Sequence, residues 1–493
     1  MMLVIAGLAI VLRALMLLSG KSLWSDEWFS VELAQKSFHD VFWGSMQDVH
    51  PPAYFLALHG AIRLFGEAEW AYRLISFLAG IAVVGVIYFL TKSVFGKKAA
   101  LYAFFLSAIS PYWLQSANEI RSYALLALLS SLTLLFFVQA LRDATRRVWL
   151  LGYTVSATLA VYVEHYAWFV VLATGVTLFF EKVGGRTRKE LWRAFICACL
   201  LGGASLALAS YQAIFREHMF EGYRIREYWS VAILFKKMVG LLWHFTNGYY
   251  FSMIPVDRIS YYLKHSPVFW LSAVSMLAAV MLLLFSFKEV FLKDRTWFVL
   301  AGMVLCFPII FLISFYSIRL EARYLSFAAP VFFVMIGGAL AFYPRERFRN
   351  AAFLLLTTIA VIGSAHTVLL KTDAAHKEDY KGLVSYVFAR TGSGDVVCGL
   401  GSQVRYYRQQ LTPDSQTTVL PEMVNLNEEN TRDAKHVWVV DQLNMHTAVW
   451  MASYDRIKTR LAELGFQPSA PPHRIGGEEG LVVAYPFEKK SLA

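Results

Sequence analysis

The chain has 493 residues, of which 57% are hydrophobic and only 16% are charged, and its formal net charge is +11. Soluble domains carry about 25% charged and about 45–50% apolar residues. This composition therefore excludes an ordinary soluble enzyme, an intrinsically disordered chain and a nucleic-acid-binding module. The four cysteines follow neither a disulfide framework nor a zinc-binding pattern.

Long apolar runs recur along the first 370 residues, and they predict membrane-spanning helices. A helix needs about 20 apolar residues to cross the hydrocarbon core of a bilayer. The runs are residues 1–20, 74–91, 99–116, 122–141, 148–163, 166–180, 194–215, 266–287, 296–318, 324–343 and 351–370. A cleaved signal peptide is the alternative for the first run. Because that run lacks a basic start and carries Arg13 in its centre, a retained span is favoured.

Lysine and arginine residues concentrate in alternate short loops between these runs. The loops lie near residues 92–98, 142–147, 182–193, 288–295 and 345–349. Short cytoplasmic loops are enriched in these residues, so we expect these five loops and the N-terminus to face the cytoplasm. This topology accounts for the net charge of +11 without an acidic partner. It places the long loops 20–73 and 214–265 on the outer side of the cytoplasmic (inner) membrane.

The tail, residues 371–493, has a different composition from the rest of the chain. Helix-like and apolar strand-like stretches alternate there, at 378–390, 395–400, 436–441, 453–464 and 480–485. Glycine, proline and aspartate lie between them, which is typical of a small α/β domain. The sequence therefore predicts a transmembrane domain, residues 1–370, followed by an extracytoplasmic α/β domain.

The first outer loop opens with two adjacent carboxylates, Asp26 and Glu27, directly after the first span. Adjacent side chains on a helix point in different directions. One carboxylate can therefore face a reacting group while the other binds a cation or fixes the backbone. Helix capping is the structural alternative for the pair, because Ser25 and Asp26 also form a good helix start.

Three more polar clusters lie at the same predicted face of the membrane. Their members are Glu119, Arg121 and Tyr123; Glu164, His165 and Tyr166; and Arg319, Arg323 and Tyr324. Arginine is unexpected in short outer loops, and a guanidinium group matches the geometry of a phosphate. An ordinary interfacial belt with one ion pair is the alternative for the first cluster. Together the clusters predict an outward-facing site.

Several short motifs within residues 20–125 carry a family resemblance. They are Leu23-Trp24-Ser25-Asp26-Glu27, His50-Pro51-Pro52, Leu64-Phe65-Gly66, Arg73-Leu74 and Ser110-Pro111 followed by Glu119-x-Arg121-x-Tyr123. With these motifs the sequence resembles the polytopic GT-C glycosyltransferases, in particular the bacterial branch of protein mannosyltransferases and lipid A aminoarabinose transferases (families 39 and 83). The resemblance implies a GT-C fold of about eleven transmembrane helices with a small C-terminal α/β domain.

The resemblance also implies a reaction and its participants. It implies inverting transfer of a sugar from a polyprenyl-phosphate donor to a hydroxyl of a glycolipid, a cell-envelope glycan or a protein. Asp26 is then the catalytic base, and Glu27 orients Asp26 or the donor. The residues expected to bind donor phosphate or substrate are Glu119, Arg121, Tyr123, His165, Arg319, Arg323 and Tyr324. His50 is a candidate ligand for a divalent metal ion or a substrate contact, because some members bind such an ion and others do not.

Two other functions fit a chain with many spans: a transporter or flippase, and an envelope-assembly scaffold without transferase activity. Transporters carry ionisable residues or broken helices near the middle of the bilayer. Here Arg13 and His366 are nearly the only such residues within the spans, and the polar groups gather at one surface. The pattern therefore favours the transferase, with membrane lipids and a lipid-linked sugar as partners and no nucleic acid.

Overall fold

The computed structural model describes residues 1–47, 50–180, 184–219, 231–248, 266–291, 322–369, 378–443, 447–476 and 481–490. The chain forms two compact units. One consists of Met1–Leu18 with Ser30–Val368, and the other of Ser19–Phe29 with Leu369–Ala493. The segment Ser19–Phe29, which the sequence placed in the transmembrane domain, belongs to the second unit.

Helices make up most of the described chain up to residue 369. They are α1 (Met2–Leu18), α2 (Ser25–Gln35), α3 (Phe38–Gln47), α4 (Ala53–Phe65), α5 (Glu69–Ala108), α6 (Pro111–Ser116), α7 (Tyr123–Arg142), α8 (Arg147–Val163), α9 (Trp168–Phe180), α10 (Gly185–Met219), α11 (Val231–Asn247), α12 (Pro267–Phe291), α13 (Ala329–Phe342) and α14 (Glu346–Leu369). Short 3₁₀ turns at His165–Ala167 and Ala322–Leu325 precede α9 and α13.

Five of the described helices are long and apolar enough to cross a membrane, judged by length and composition. They are Glu69–Ala108, Tyr123–Arg142, Gly185–Tyr211, Pro267–Phe285 and Glu346–Leu369. Several expose large apolar side chains, including Phe89, Leu200 and Leu284. Such a surface is unfavourable in water and matches the hydrocarbon of a bilayer. The chain is therefore a polytopic membrane protein.

The helix bounds differ from the predicted spans at identifiable residues. The runs 74–91 and 99–116 form one helix, α5, with a kink at Gly96, whose φ of 84° favours glycine. The second run then breaks after Ala108. Pro111 begins the separate helix α6, and the side chain of Ser110 caps that helix by accepting a hydrogen bond from the Trp113 N–H.

Two other differences concern the second long loop and one span. The loop predicted over 214–265 contains the helix α11, and its first residues belong to α10, which continues to Met219. The sequence predicted a loop for all residues between the apolar runs 194–215 and 266–287, so these helical segments were not expected. The predicted span 296–318 lies outside the described residues.

The charge inside the first predicted span is fully buried and surrounded by backbone acceptors. Arg13 in α1 is 1% exposed. It donates to the carbonyl oxygens of Ala9, Gly80 and Ala108, each at 3.0 Å, and of Ser107 at 3.4 Å. The last turn of a helix has carbonyl groups without helical partners, and Ser107 and Ala108 lie in the last turn of α5. Arg13 therefore joins α1 to α5 on both sides of its kink at Gly96.

The second unit contains a mixed sheet. Its strands are β1 (Val396–Cys398), β2 (Thr418–Leu420), β3 (His436–Leu443), β4 (Phe466–Pro468), β5 (His473–Gly476) and β6 (Leu481–Lys489), in the order β2-β1-β3-β6-β4, with β5 also paired to β6. β1 is parallel to β2 and β3, whereas β6 is antiparallel to β3, β4 and β5. The helices are α15 (Tyr380–Phe388), α16 (Gly401–Leu411), α17 (Glu428–Thr431) and α18 (Thr447–Glu463).

This α/β arrangement agrees with the periodicity of the tail. The predicted strands correspond to β1, β3 and β6, and the predicted helices to α15 and α18. A turn precedes β1: Asp395 accepts a hydrogen bond from the Gly392 N–H at 2.7 Å and another from the His436 N–H at 2.9 Å. The buried apolar core includes Val437, Leu461 and Val483, which are completely inaccessible.

Candidate active site

The turn between α6 and α7 carries the conspicuous motif with Glu119, Arg121 and Tyr123, and α5 holds its backbone in place. Arg73 is buried and its guanidinium donates to the carbonyl oxygen of Asn118. One turn along α5, Ser76 Oγ donates to the carbonyl oxygen of Arg121 at 3.2 Å. Both contacts hold backbone carbonyl groups, so α5 fixes the path of the turn independently of the turn's own side chains.

Close packing reinforces this placement. A Cβ atom added to Gly80 of α5 would lie 2.3 Å from the Cβ atom of Ala117, the residue that begins the turn. Real Cβ atoms do not approach so closely, so a glycine is required for α5 and the turn to touch at this point.

Arg121 is the centre of a buried polar cluster. It is 5% exposed, and its guanidinium donates to Ser30 Oγ at 3.2 Å and to His50 Nε2 at 2.9 Å. A guanidinium group only donates, so His50 Nε2 accepts in this hydrogen bond. Glu164 Oε2 lies 3.9 Å from the same His50 nitrogen and accepts a hydrogen bond from Ser122 Oγ at 3.3 Å. The cluster thus joins residues from four separate parts of the chain.

The Nε2 atom of His50 faces the guanidinium of Arg121, and a metal cation beside that second cation is unfavourable. Throughout the described ranges, no group of three or more histidine, cysteine, aspartate or glutamate side chains is close enough together to hold a metal ion. Both roles expected for His50, metal ligand and substrate contact, stay predictions.

The rings of Tyr123 and Tyr324 connect the two predicted clusters that contain Arg121 and Arg323. The guanidinium carbon of Arg121 lies 6.0 Å from the centre of the Tyr123 ring, and that of Arg323 lies 5.4 Å from the centre of the Tyr324 ring. The two tyrosine rings are 6.2 Å apart, and the ring of Tyr166 is parallel to that of Tyr324 at 6.3 Å. Three clusters widely separated in sequence therefore meet at one place in the first unit.

The remaining predicted phosphate- and substrate-binding residues occupy different positions. Glu119 is buried in the same turn as Arg121, two residues before it. His165 begins the 3₁₀ turn before α9, and its backbone N–H donates to Glu164 Oε1 at 3.2 Å. Arg319 lies outside the described residues. Their roles in binding stay predictions.

The adjacent carboxylates at the start of α2 have different surroundings. Glu27 is 2% exposed, and its Oε2 accepts a hydrogen bond from the Trp24 N–H at 3.4 Å. A glutamate at the third helical position that reaches back to the residue before the helix is half of a capping box. Glu27 therefore has the capping contact considered as an alternative for the pair, whereas Asp26 is partly exposed.

An apolar cavity lies among the helices of the first unit. Its lining residues are Leu106, Ser110, Phe245, Thr246, Phe332, Phe333, Ile336, Leu356 and Ala360. The lining comes from α5, α11, α13 and α14 and the start of α6. Ser110 and Thr246 are its polar members.

The sequence did not indicate two contributors to the Arg121 cluster. Ser30 lies 91 residues before Arg121, and Ser76 lies 45 residues before it. Both are ordinary serines in helices. The Arg73-Leu74 motif, close to Ser76, was the nearest signal.

Comparisons with known proteins agree with this architecture. A family model described as dolichyl-phosphate-mannose-protein mannosyltransferase matches residues 49–210, which include Arg121 and Glu164. YkcB of Bacillus subtilis (strain 168), a candidate mannosyltransferase by name, is 29% identical over 158 residues. That match covers 29% of this chain and 22% of the relative, so it spans about a fifth of the relative's length.

Solved structures show a similar fold over nearly the whole chain. ArnT from Cupriavidus metallidurans in the apo state has a TM-score of 0.53 at 15% identity, covering 98% of this chain and 97% of that one. ArnT bound to undecaprenyl phosphate gives a TM-score of 0.52 at 15% identity, with coverage of 98% and 97%. The Archaeoglobus fulgidus oligosaccharyltransferase tethered with an acceptor peptide gives 0.51 at 13% identity, with coverage of 95% and 72%.

The helical fold and the matched segment agree with the resemblance carried by the motifs of residues 20–125. This polytopic membrane protein is similar to ArnT in fold and, over residues 49–210, to the mannosyltransferase family model in sequence.

Proposed function

We propose that this chain is an inverting glycosyltransferase that moves a sugar from a polyprenyl-phosphate carrier to a hydroxyl of a glycolipid, a cell-envelope glycan or a protein. The reaction takes place at the outer face of the cytoplasmic membrane. The family model supports sugar transfer. The similar fold of ArnT, a protein solved with undecaprenyl phosphate bound, supports a lipid-linked phosphate donor.

The placement of the Arg121 and Arg323 guanidinium groups is the observation that best supports this proposal. Arg121 and Arg323 are joined through the rings of Tyr123 and Tyr324. Guanidinium groups grip phosphate oxygens with two parallel hydrogen bonds. Two of them held in fixed positions stabilise the negative charge that builds on a departing phosphate without reorganising, and such preorganisation is a large catalytic contribution.

The chemistry needs one proton acceptor. The acceptor hydroxyl attacks the anomeric carbon, the bond from that carbon to the phosphate oxygen breaks, and the configuration inverts. The proton of the hydroxyl passes to a carboxylate base. The motif resemblance and the partial exposure of Asp26 in the first turn of α2 support Asp26 as this base. Glu27 then acts through the helix start, because its carboxylate is buried and holds the Trp24 N–H.

The apolar cavity of the first unit suits the carrier lipid. A prenyl chain needs a water-free surface, and the cavity is lined mostly by leucine, isoleucine and phenylalanine side chains, including Phe245 and Phe332. We propose that the first isoprene units of the donor pack against these apolar side chains.

The direct test is sugar transfer by the purified full-length protein in proteoliposomes. Polyprenyl-phosphate sugars are supplied one at a time, and the release of free polyprenyl phosphate is measured. Mass spectrometry of envelope glycans and glycolipids from a strain without the protein then identifies the acceptor, since one modification disappears and its precursor accumulates. Absence of release with every donor, from protein that is folded and correctly inserted, contradicts the proposal.

Orientation is tested separately with reporter fusions. Fusions after residues 97 and 188 are expected to report the cytoplasm, and a fusion after residue 380 the exterior, because of the distribution of lysine and arginine in the short loops. A cytoplasmic signal after residue 380 contradicts the proposed outer location of the tail.

A further inference from the structure

One carboxylate from the tail holds the start of α2. Glu378 is 8% exposed; its Oε1 accepts a hydrogen bond from Ser25 Oγ at 3.1 Å, and its Oε2 accepts one from the Ser25 N–H at 3.4 Å. The first N–H groups of a helix have no partner within the helix, and negative charge is favourable at that end. Glu378 therefore caps α2 although it lies 353 residues later in the chain.

Glu378 is itself fixed by a second layer of side chains. Gln442 Nε2, on β3, donates to Glu378 Oε1 at 2.7 Å. The hydroxyl of Tyr380 donates to Gln442 Oε1 at 2.8 Å, and Tyr380 is 1% exposed at the first residue of α15. Because a strand and a helix of the α/β domain anchor these partners, the Glu378 carboxylate has a defined position.

Two further hydrogen bonds hold the residues on either side of this cap. The Leu23 N–H donates to the hydroxyl of Tyr407 at 2.7 Å, and Trp28 Nε1 donates to Ser402 Oγ at 3.1 Å. Both partners lie on α16. The first turn of α2 is therefore held before, at and after its cap by residues of the α/β domain.

We propose that Glu378 is a positioning residue of the transferase, which fixes the Asp26 carboxylate through its neighbour Ser25. This inference rests on the function proposed above for Asp26. A base must lie within hydrogen-bond reach of the proton that it removes, and a displacement of about 1 Å costs about a hundredfold in rate.

The test compares three variants of the full-length protein. Glu378→Gln keeps the size of the side chain but removes its charge and one acceptor oxygen, and Ser25→Ala removes the hydroxyl partner. The matched control is Glu429→Gln, which changes an exposed glutamate in the first turn of α17, in the same unit. Hydrogen exchange of the peptide covering residues 22–29 is measured together with kcat and the KM for the lipid-linked donor.

We expect faster exchange in that peptide for Glu378→Gln and Ser25→Ala but not for the control. We also expect kcat to fall about tenfold or more while KM changes less than about twofold, because only the base is displaced. The double variant Ser25→Ala/Glu378→Gln should be no slower than Glu378→Gln alone, since both changes affect the same contact, between Ser25 and Glu378. Unchanged exchange, or an unchanged kcat in both single variants, overturns the inference. An inactive wild-type protein instead refutes the proposed function, and the exchange result still decides whether Glu378 anchors α2.

Discussion

Replacement of Arg121 by lysine tests the site most sharply, because it keeps the positive charge and removes the fork of donors. Arg121 reaches Ser30 Oγ and His50 Nε2 with two different nitrogens, at 3.2 and 2.9 Å. A lysine ammonium is a single point charge on a flexible stem. We therefore expect Arg121→Lys to lose at least one of the two contacts and the paired grip on a phosphate.

The size of the effect follows from these contacts. One hydrogen bond to a buried charged group is worth about 1.5–3 kcal/mol, which is the expected loss in the free energy of unfolding. Loss of one preorganised donor to transition-state charge lowers kcat by about 10²–10³. The loss in the free energy of unfolding is measured by thermal unfolding in detergent. The fall in kcat is measured by the release of polyprenyl phosphate from a labelled donor in proteoliposomes.

The matched control is Arg147→Lys, which changes an exposed arginine at the start of α8. It should leave both quantities unchanged within the error of the assays. If Arg121→Lys retains activity within about threefold of the wild type, the guanidinium fork makes no contribution to the reaction and the assignment of Arg121 to the phosphate is wrong.

Four further predictions concern the base, the second arginine, the first span and the tail. Asp26→Asn should lower kcat by about 10²–10⁴ with unchanged membrane insertion, since it removes the proposed base; full activity would exclude Asp26. Arg323→Ala should reduce donor turnover far more than Arg347→Ala, an exposed change in the helix α14, and equal effects in the transfer assay would count against Arg323. Arg13→Met should lower the free energy of unfolding by about 1–3 kcal/mol, because buried carbonyl oxygens lose their donor, while thermal melts that match the wild type would contradict this role. Burial raises the pKa of Asp379, so its native carboxyl group binds a proton more tightly than the unfolded one, and its contribution to stability decreases as the pH rises through the raised pKa. The Asp379 side chain caps α15 by accepting a hydrogen bond from the Gly382 N–H, and an asparagine can still do so. Asp379→Asn should therefore increase stability at neutral pH and flatten this pH dependence in thermal melts; a steeper dependence would contradict the stated cause.

The sequence by itself determined the class of the protein. Bilayer thickness demands long apolar runs, so the spans could be located from composition alone, and helix bounds such as Tyr123–Arg142 agree closely with the predicted run 122–141. The period of the tail likewise indicated its strands and helices. These features are local, because each depends on consecutive residues. The motifs of residues 20–125 indicated the same resemblance that the family model shows over residues 49–210.

The tertiary structure decided which side chains act together. The meeting of Arg121 with His50, and of Tyr123 with Tyr324, requires turns that helix packing holds in place. The contact of Ser25 with Glu378 joins residues 353 positions apart. No sequence pattern links these two residues. Hydrogen bonds and ring contacts act over a few ångströms in space, whereas a sequence pattern records only spacing along the chain, so these pairings depend on the folded backbone.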